Sequence, residues 1–400
     1  MIKKLLILIF WFTIAQNWEG SFFAGSFDSN NNFMGGSEIL QLVPHKGKLY
    51  ASVGYWQDES NIWYGGSNSN IGWSQIISLE NPESSWAVDL DMGPYHLRPE
   101  VLKEVIFTKD LSGDFLPNPD TLLVAGAFSS NYFFGPVSAN AFIKYGDNWI
   151  KTLIFEGSQP GQSESYSMRD MELFTDSVTG QEHLIVSVGT KGIFSGKYNS
   201  TAEGRISWDP VPEIGSLSTR PLGIAVANGV LYFSSGNKIY RRFDGENPTY
   251  SVVHDFSDLS SNINSAVGGI RGITKINHSG YESLLLMWCP DSQSKGLIFR
   301  LDPNLVGGFE RVYETKLSLL VEDYLPGATV NYLLGAYNDF FQVYDYQNDE
   351  FYHIVGFEST IQGGNYPTWN GYYSGALYTK RDNDGEYSLE EIDGLIGPND

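Results

Sequence analysis

The chain has 400 residues, 42% of them hydrophobic and 18% charged, which is enough apolar material for a large buried core and too little charge for a disordered acidic tail. Its 47 Asp and Glu against 25 Lys and Arg give a formal net charge of -22. That balance excludes nucleic acid and an anionic membrane surface as partners, because their phosphates would be repelled.

The first residues, Met1-Ile2-Lys3-Lys4 and then the apolar run Leu5 to Ile14, are too short to span a bilayer and end at Thr13-Ile14-Ala15. A cleaved signal peptide over residues 1–15 is expected, with a secreted or periplasmic protein and a single domain over 16–400. No later segment is long enough for a membrane span. Cys289 is the one cysteine, so no internal disulfide can form, and its place in Leu284-Leu285-Leu286-Met287-Trp288 reads as core.

From Trp18 onward an aromatic residue recurs at the head of a short strand: Trp18, Trp86, Trp149, Trp208, Tyr250, Phe309 and Phe351. The least elaborated unit containing it is Arg220 to Phe256. There, four apolar runs (Leu222 to Val226, Val230 to Ser234, Lys238 to Phe243, Tyr250 to Asp255) are separated by Asn228-Gly229, Gly236-Asn237 and Asp244-Gly245. Asn-Gly supplies the positive φ of a tight hairpin, and β-branched and aromatic residues suit a pleated sheet, so the unit predicts a four-stranded antiparallel meander. Second-strand runs recur at Leu49, Leu122, Leu184, Leu231, Leu284, Tyr332 and Tyr373. No long segment has apolar residues at three and four spacing, the mark of an amphipathic helix.

This repetition, with the pairs Gly35-Gly36, Gly268-Gly269 and Gly307-Gly308 and the late tryptophans, resembles the β-propeller superfamily and is loosely kelch-like, without matching one family. The all-β expectation is a seven-bladed β-propeller closed by the N-terminal strand at Trp18; six blades with an appended hairpin is the alternative.

In such a fold the first strand of each blade lines the central channel, and its first residue lies at the rim of one face. Arg98, Arg169, Arg220 and Arg271 take that position in four copies, the last three at intervals of 51, and Glu38 takes it in the first. Guanidinium forks match carboxylates, sulfates and phosphates. Bonds that tie neighbouring blades are the competing role. Loops expected on the same face carry Trp56, Trp63 and Tyr64, and Trp369 near the last copy, residues suited to stacking on sugar rings.

Catalytic candidates are few: His96 with Tyr95, just before Arg98, and Glu38, as acid or base beside a ligand carboxylate clamped by arginine. The six histidines show no metal-ligand spacing. Asp382 and Asp384 are spaced for calcium, but an Asp-Gly hairpin turn accounts for them and no cofactor is required. The expected function is binding of an anionic small molecule or glycan. A polysaccharide lyase or hydrolase at the same face, and a scaffold for a protein partner, are the alternatives.

Overall fold

After a two-stranded hairpin, Ser26–Phe27 with Phe33–Met34, alternating short strands and turns collect the described residues into six consecutive antiparallel sheets of four or five strands. This is seen in the computed structural model, which describes residues 21–391 apart from 37, 56–71, 130–136, 158–165, 265–267, 292–295, 306, 325–329, 336–338, 347–348 and 362–371. They are the blades of a β-propeller. Blade four realises the simplest unit: Pro221–Ala227, Val230–Ser235, Lys238–Phe243 and Thr249–Asp255 pair in chain order. Its first hairpin turns on Asn228 (φ 51°) and Gly229 (φ 71°), two left-handed residues that follow the twist of the flanking strands.

The inner strands of blades one to five are Glu38–His45, Pro99–Lys109, Met171–Thr175, Pro221–Ala227 and Gly269–His278. Each of the first four packs against the inner strand of the next blade. Apolar side chains fill the space between successive blades. Phe174 and Ile185 of blade three meet Ile224 and Phe233 of blade four, and Ile298 of blade five meets Val355 of blade six. Each such buried Leu, Ile or Phe contributes on the order of 2 kcal/mol.

The count of seven blades is corrected to six, the number given by the alternative expectation. Leu317–Tyr324, where an inner strand would have been needed, is an eight-residue α-helix with Leu317, Leu320, Val321 and Tyr324 at helical spacing. The run at Tyr332 therefore becomes the inner strand of blade six, in two pieces, Val330–Gly335 and Phe341–Asp345, both paired with the long strand Glu350–Ile361. Phe351 heads a second strand instead of a fourth, and Tyr372–Arg381 and Tyr387–Glu391 complete one blade from what the repeat pattern divided between two. Residues 1–20, with the expected signal peptide and the Trp18 strand, lie outside the described residues.

The aromatic that opens the outermost strand of blades two to six is a clasp on the blade before it, whereas Trp86 of blade one donates from Nε1 to Ser21 Oγ at 3.2 Å. Trp149 Nε1 donates to Asp89 (2.5 Å), Trp208 Nε1 to Thr152 (3.1 Å), Tyr250 Oη to Glu213 (2.5 Å) and Tyr387 Oη to Glu314 (2.6 Å). Phe309, which has no polar tip, meets Tyr232 edge-on at 5.3 Å. In blades two, four and six a cation on the third strand joins the same carboxylate: Lys144 with Asp89, Arg242 with Glu213, Arg381 with Glu314. A purely apolar rim would leave these polar tips unsatisfied, so the clasps fix both spacing and register.

The fold also encloses five histidines. Burial lowers His96 and His353 to about 4, and it lowers His45, His183 and His254 as well, even with Glu104 2.7 Å from His45. An unfolded histidine titrates near 6.5, so over the interval from about 6.5 down to about 4 the unfolded chain binds more protons than the folded one. Stability present at neutral pH should be lost across that interval, by up to about 3 kcal/mol for each of His96 and His353. Thermal melts between pH 7 and pH 4 would show it. A melting temperature unchanged to pH 4 would exclude the effect.

Candidate axial site

The inner strands of blades one, two, four and five begin with an interruption of the ladder near the charged residue, whereas that of blade three pairs without a shift. Register shifts occur between Ile39 and Gln41, Pro99 and Val101, Pro221 and Ile224, and Arg271 and Thr274. Such bulges turn a side chain away from the regular alternation and release a backbone N–H. The released groups are used between blades. The Leu102 N–H donates to Gln41, the Ile224 N–H to Asp170 Oδ2 at 2.5 Å, and the Phe340 N–H to Thr274 Oγ1 at 2.8 Å.

The four arginines stand at the heads of the inner strands of blades two to five, and all are buried: Arg98 is 5%, Arg169 7%, Arg220 6% and Arg271 1% exposed. Arg98 lies 2.7 Å from Glu38 and 3.8 Å from Glu100, and Arg169 lies 3.5 Å from the same Glu100. Arg220 Nη1 donates to Ser167 Oγ at 2.8 Å. Arg98, Arg169 and Arg220 thus tie blades together, each to a residue of the blade before. Glu100 Oε2, although buried, accepts no hydrogen bond from the described residues.

Further along the inner strands, three to five residues and roughly 10–15 Å from the arginines, lies a second charged group. Lys103 of blade two forms an ion pair with Glu172 of blade three, and Asp170 and Asp339 act on the same pair electrostatically. Asp339, in the interruption of blade six's inner strand, is coupled electrostatically to Lys103 and Glu172. Lys103 and Glu172 are enclosed by protein yet keep 29% and 26% of their side-chain surface exposed, which places solvent-accessible space inside the ring.

Burial, reinforced by Asp339, raises the Asp170 carboxyl well above the usual range, although Oδ1 and Oδ2 accept from the Met171 and Ile224 N–H groups. Burial raises Asp339 to about 6, against the pull of Lys103. Lys103 is held charged: burial opposes its charge, and Glu172, Asp170 and Asp339 outweigh it. Five cations from four blades therefore face three carboxylates and two acids of suppressed ionisation in a chain of net charge -22.

The other candidates divide. His96 is a buried residue, 3% exposed, with its ring edge-on to Phe142 at 5.2 Å, and at a pKa of about 4 it is a poor base at neutral pH. Tyr95 is exposed, in a left-handed conformation (φ 74°), with its ring edge-on to Trp73. Glu38 is engaged with Arg98. Trp56, Trp63, Tyr64 and Trp369 lie outside the described residues. Asp382 Oδ1 accepts from the Asp384 and Glu386 N–H groups at 3.0 and 2.8 Å, capping a hairpin. No cluster of His, Cys, Asp and Glu suited to a metal ion occurs among the described residues.

Sequence reasoning missed Glu100, Lys103, Asp170, Glu172 and Asp339. For the first four a signal was present: charged residues in strands that the fold encloses on both sides. Asp339 gave none, because the register of blade six was assigned differently.

No known family profile and no curated protein matches the chain. Among solved structures it is similar to an α-L-arabinofuranosidase of Fusarium graminearum (8% identity, 89% of this chain and 93% of that one, TM-score 0.39). It is also similar to the Aleuria aurantia lectin (10%, 88% and 93%, 0.41) and to a protein of Arthrobotrys oligospora (8%, 94% and 96%, 0.42). At such identities these are likenesses of architecture.

Proposed function

We propose that this is an exported propeller whose axial channel binds an anionic, carbohydrate-like ligand at the end carrying Arg98, Arg169, Arg220 and Arg271. The observation that supports it is repetition: four successive blades place a buried arginine at the head of the inner strand, in a strongly acidic protein whose Lys103 and Glu172, further along the same strands, keep solvent exposure. Low-dielectric walls focus such a field, so a small anion is drawn to the axis although the outer surface repels it. The arginine forks then fix a carboxylate bidentately, and the deeper acids meet its far side.

A double variant, Arg220→Ala with Arg271→Ala, tests this reading. Affinity for an oligogalacturonate probe should fall at least 100-fold in titration calorimetry while the fold persists by circular dichroism. Unchanged affinity would reject the site, and a collapse of the fold without any wild-type binding would assign these arginines to the scaffold alone.

A further inference from the structure

The inner strand of blade six is interrupted between Val330–Gly335 and Phe341–Asp345, and Asp339 sits in that interruption. The neighbouring Phe340 N–H donates to Thr274 Oγ1 of blade five at 2.8 Å, which holds the segment in place. Asp339 is surrounded by protein and keeps part of its surface open to the channel, and its carboxyl makes no hydrogen bond to the described residues. Asp170 differs, since both its oxygens accept from backbone N–H groups. A carboxyl group enclosed in this way is costly, and a scaffold role would have been served better by an apolar or amide side chain.

We infer that Asp339 is the proton donor of the axial site: in its neutral form its O–H donates to an anionic oxygen of the bound ligand, so that binding takes up one proton. The inference rests on the proposed binding of an anionic ligand in the channel and adds the protonation state in which the site accepts it. The charged groups that act on Asp339 are Lys103 of blade two and Glu172 of blade three, and Asp339 in turn acts on Asp170 of blade three; blade five contributes the uncharged Thr274. Lys103 and Glu172 are paired with each other, and Asp339, at about 6, is the acid that changes charge near neutrality. An ionised Asp339 would repel a ligand carboxylate, whereas a neutral one donates to it. Because Asp339 titrates near 6, the competent form is dominant below that pH and is depleted tenfold per unit above it.

The test is calorimetric titration of the full chain with oligogalacturonate between pH 5.5 and 8, repeated at pH 7 in two buffers of unequal ionisation enthalpy. The wild-type affinity should fall about tenfold per unit above about pH 6.5, with uptake of close to one proton at pH 7. Asp339→Asn, which retains an N–H donor in nearly the same volume, should bind with an affinity independent of pH in this window and without proton uptake. Wild-type binding that does not vary with pH, or an Asp339→Asn variant with the wild-type slope, would overturn the role of Asp339 and leave the proposed site standing. Absence of wild-type binding at every pH would overturn both.

Discussion

Glu314→Ala should cost about 5 kcal/mol of stability and open the junction between blades five and six. Glu314 is 4% exposed at its side chain and accepts from Arg381 Nε and Nη2, both at 2.7 Å, from Arg300 Nη1 at 2.7 Å and from Tyr387 Oη at 2.6 Å. Burial acts to raise its pKa, and Arg381 and Tyr387 overcome that and hold it below the usual glutamate range. Removing the carboxylate leaves the buried Arg381 cation uncompensated, about 3–5 kcal/mol, and the Tyr387 hydroxyl unsatisfied, about 1–3 kcal/mol. Tyr387→Phe removes only the weaker bond and should cost about 1 kcal/mol. Chemical denaturation gives the totals, and hydrogen exchange in Tyr372–Arg381 and Tyr387–Glu391 locates the loss. A cost for Glu314→Ala below about 1 kcal/mol would show that the clasp is not what holds this junction.

The opposite sign is expected at the axis, where Asp339→Asn should stabilise the protein at pH 7–8 by on the order of 2 kcal/mol. The folded pKa of Asp339, about 6, lies above the unfolded value near 3.9, so between these values the folded state holds the extra proton. As pH rises through 6 the carboxyl ionises at a cost to the fold, and an amide, which does not ionise, avoids that cost. At pH 4 wild type and variant should be of equal stability. Melting curves at pH 4 and pH 8 read the difference directly. A variant less stable than wild type at pH 8 would mean that the ionised carboxylate is used by the scaffold. A residue whose replacement improves stability while removing proton-coupled binding bears the mark of a site kept for function.

Comparing the two predictions shows what the sequence carries and what it does not. Blade four was legible to within a residue at each strand end, because Asn228-Gly229 and the alternating Tyr232, Ile239 and Tyr250 specify hairpins and faces locally. The outer-strand aromatics were legible as a recurring mark, but their purpose was not. In blades two to six the partner lies on the preceding blade, and neither the bend holding Glu213 nor the strand holding Glu314 has a local pattern that gives a reason for a carboxylate. The arginine position was also legible, through the even spacing of Arg169, Arg220 and Arg271. Blade six was not, because the helix Leu317–Tyr324 is too short for its periodicity to stand out against strands of the same length. That misassignment hid Asp339, whose meaning comes only from Lys103 and Glu172, more than 160 residues away in the chain.

The most direct measurement of the axial account is a crystal structure of the protein soaked with a digalacturonate at pH 5.5. The account predicts density for one saccharide on the ring axis, with a carboxylate between the guanidiniums of Arg220 and Arg271 and an oxygen within hydrogen-bond distance of Asp339. Saccharide bound elsewhere, with the axial channel holding only water, would contradict it.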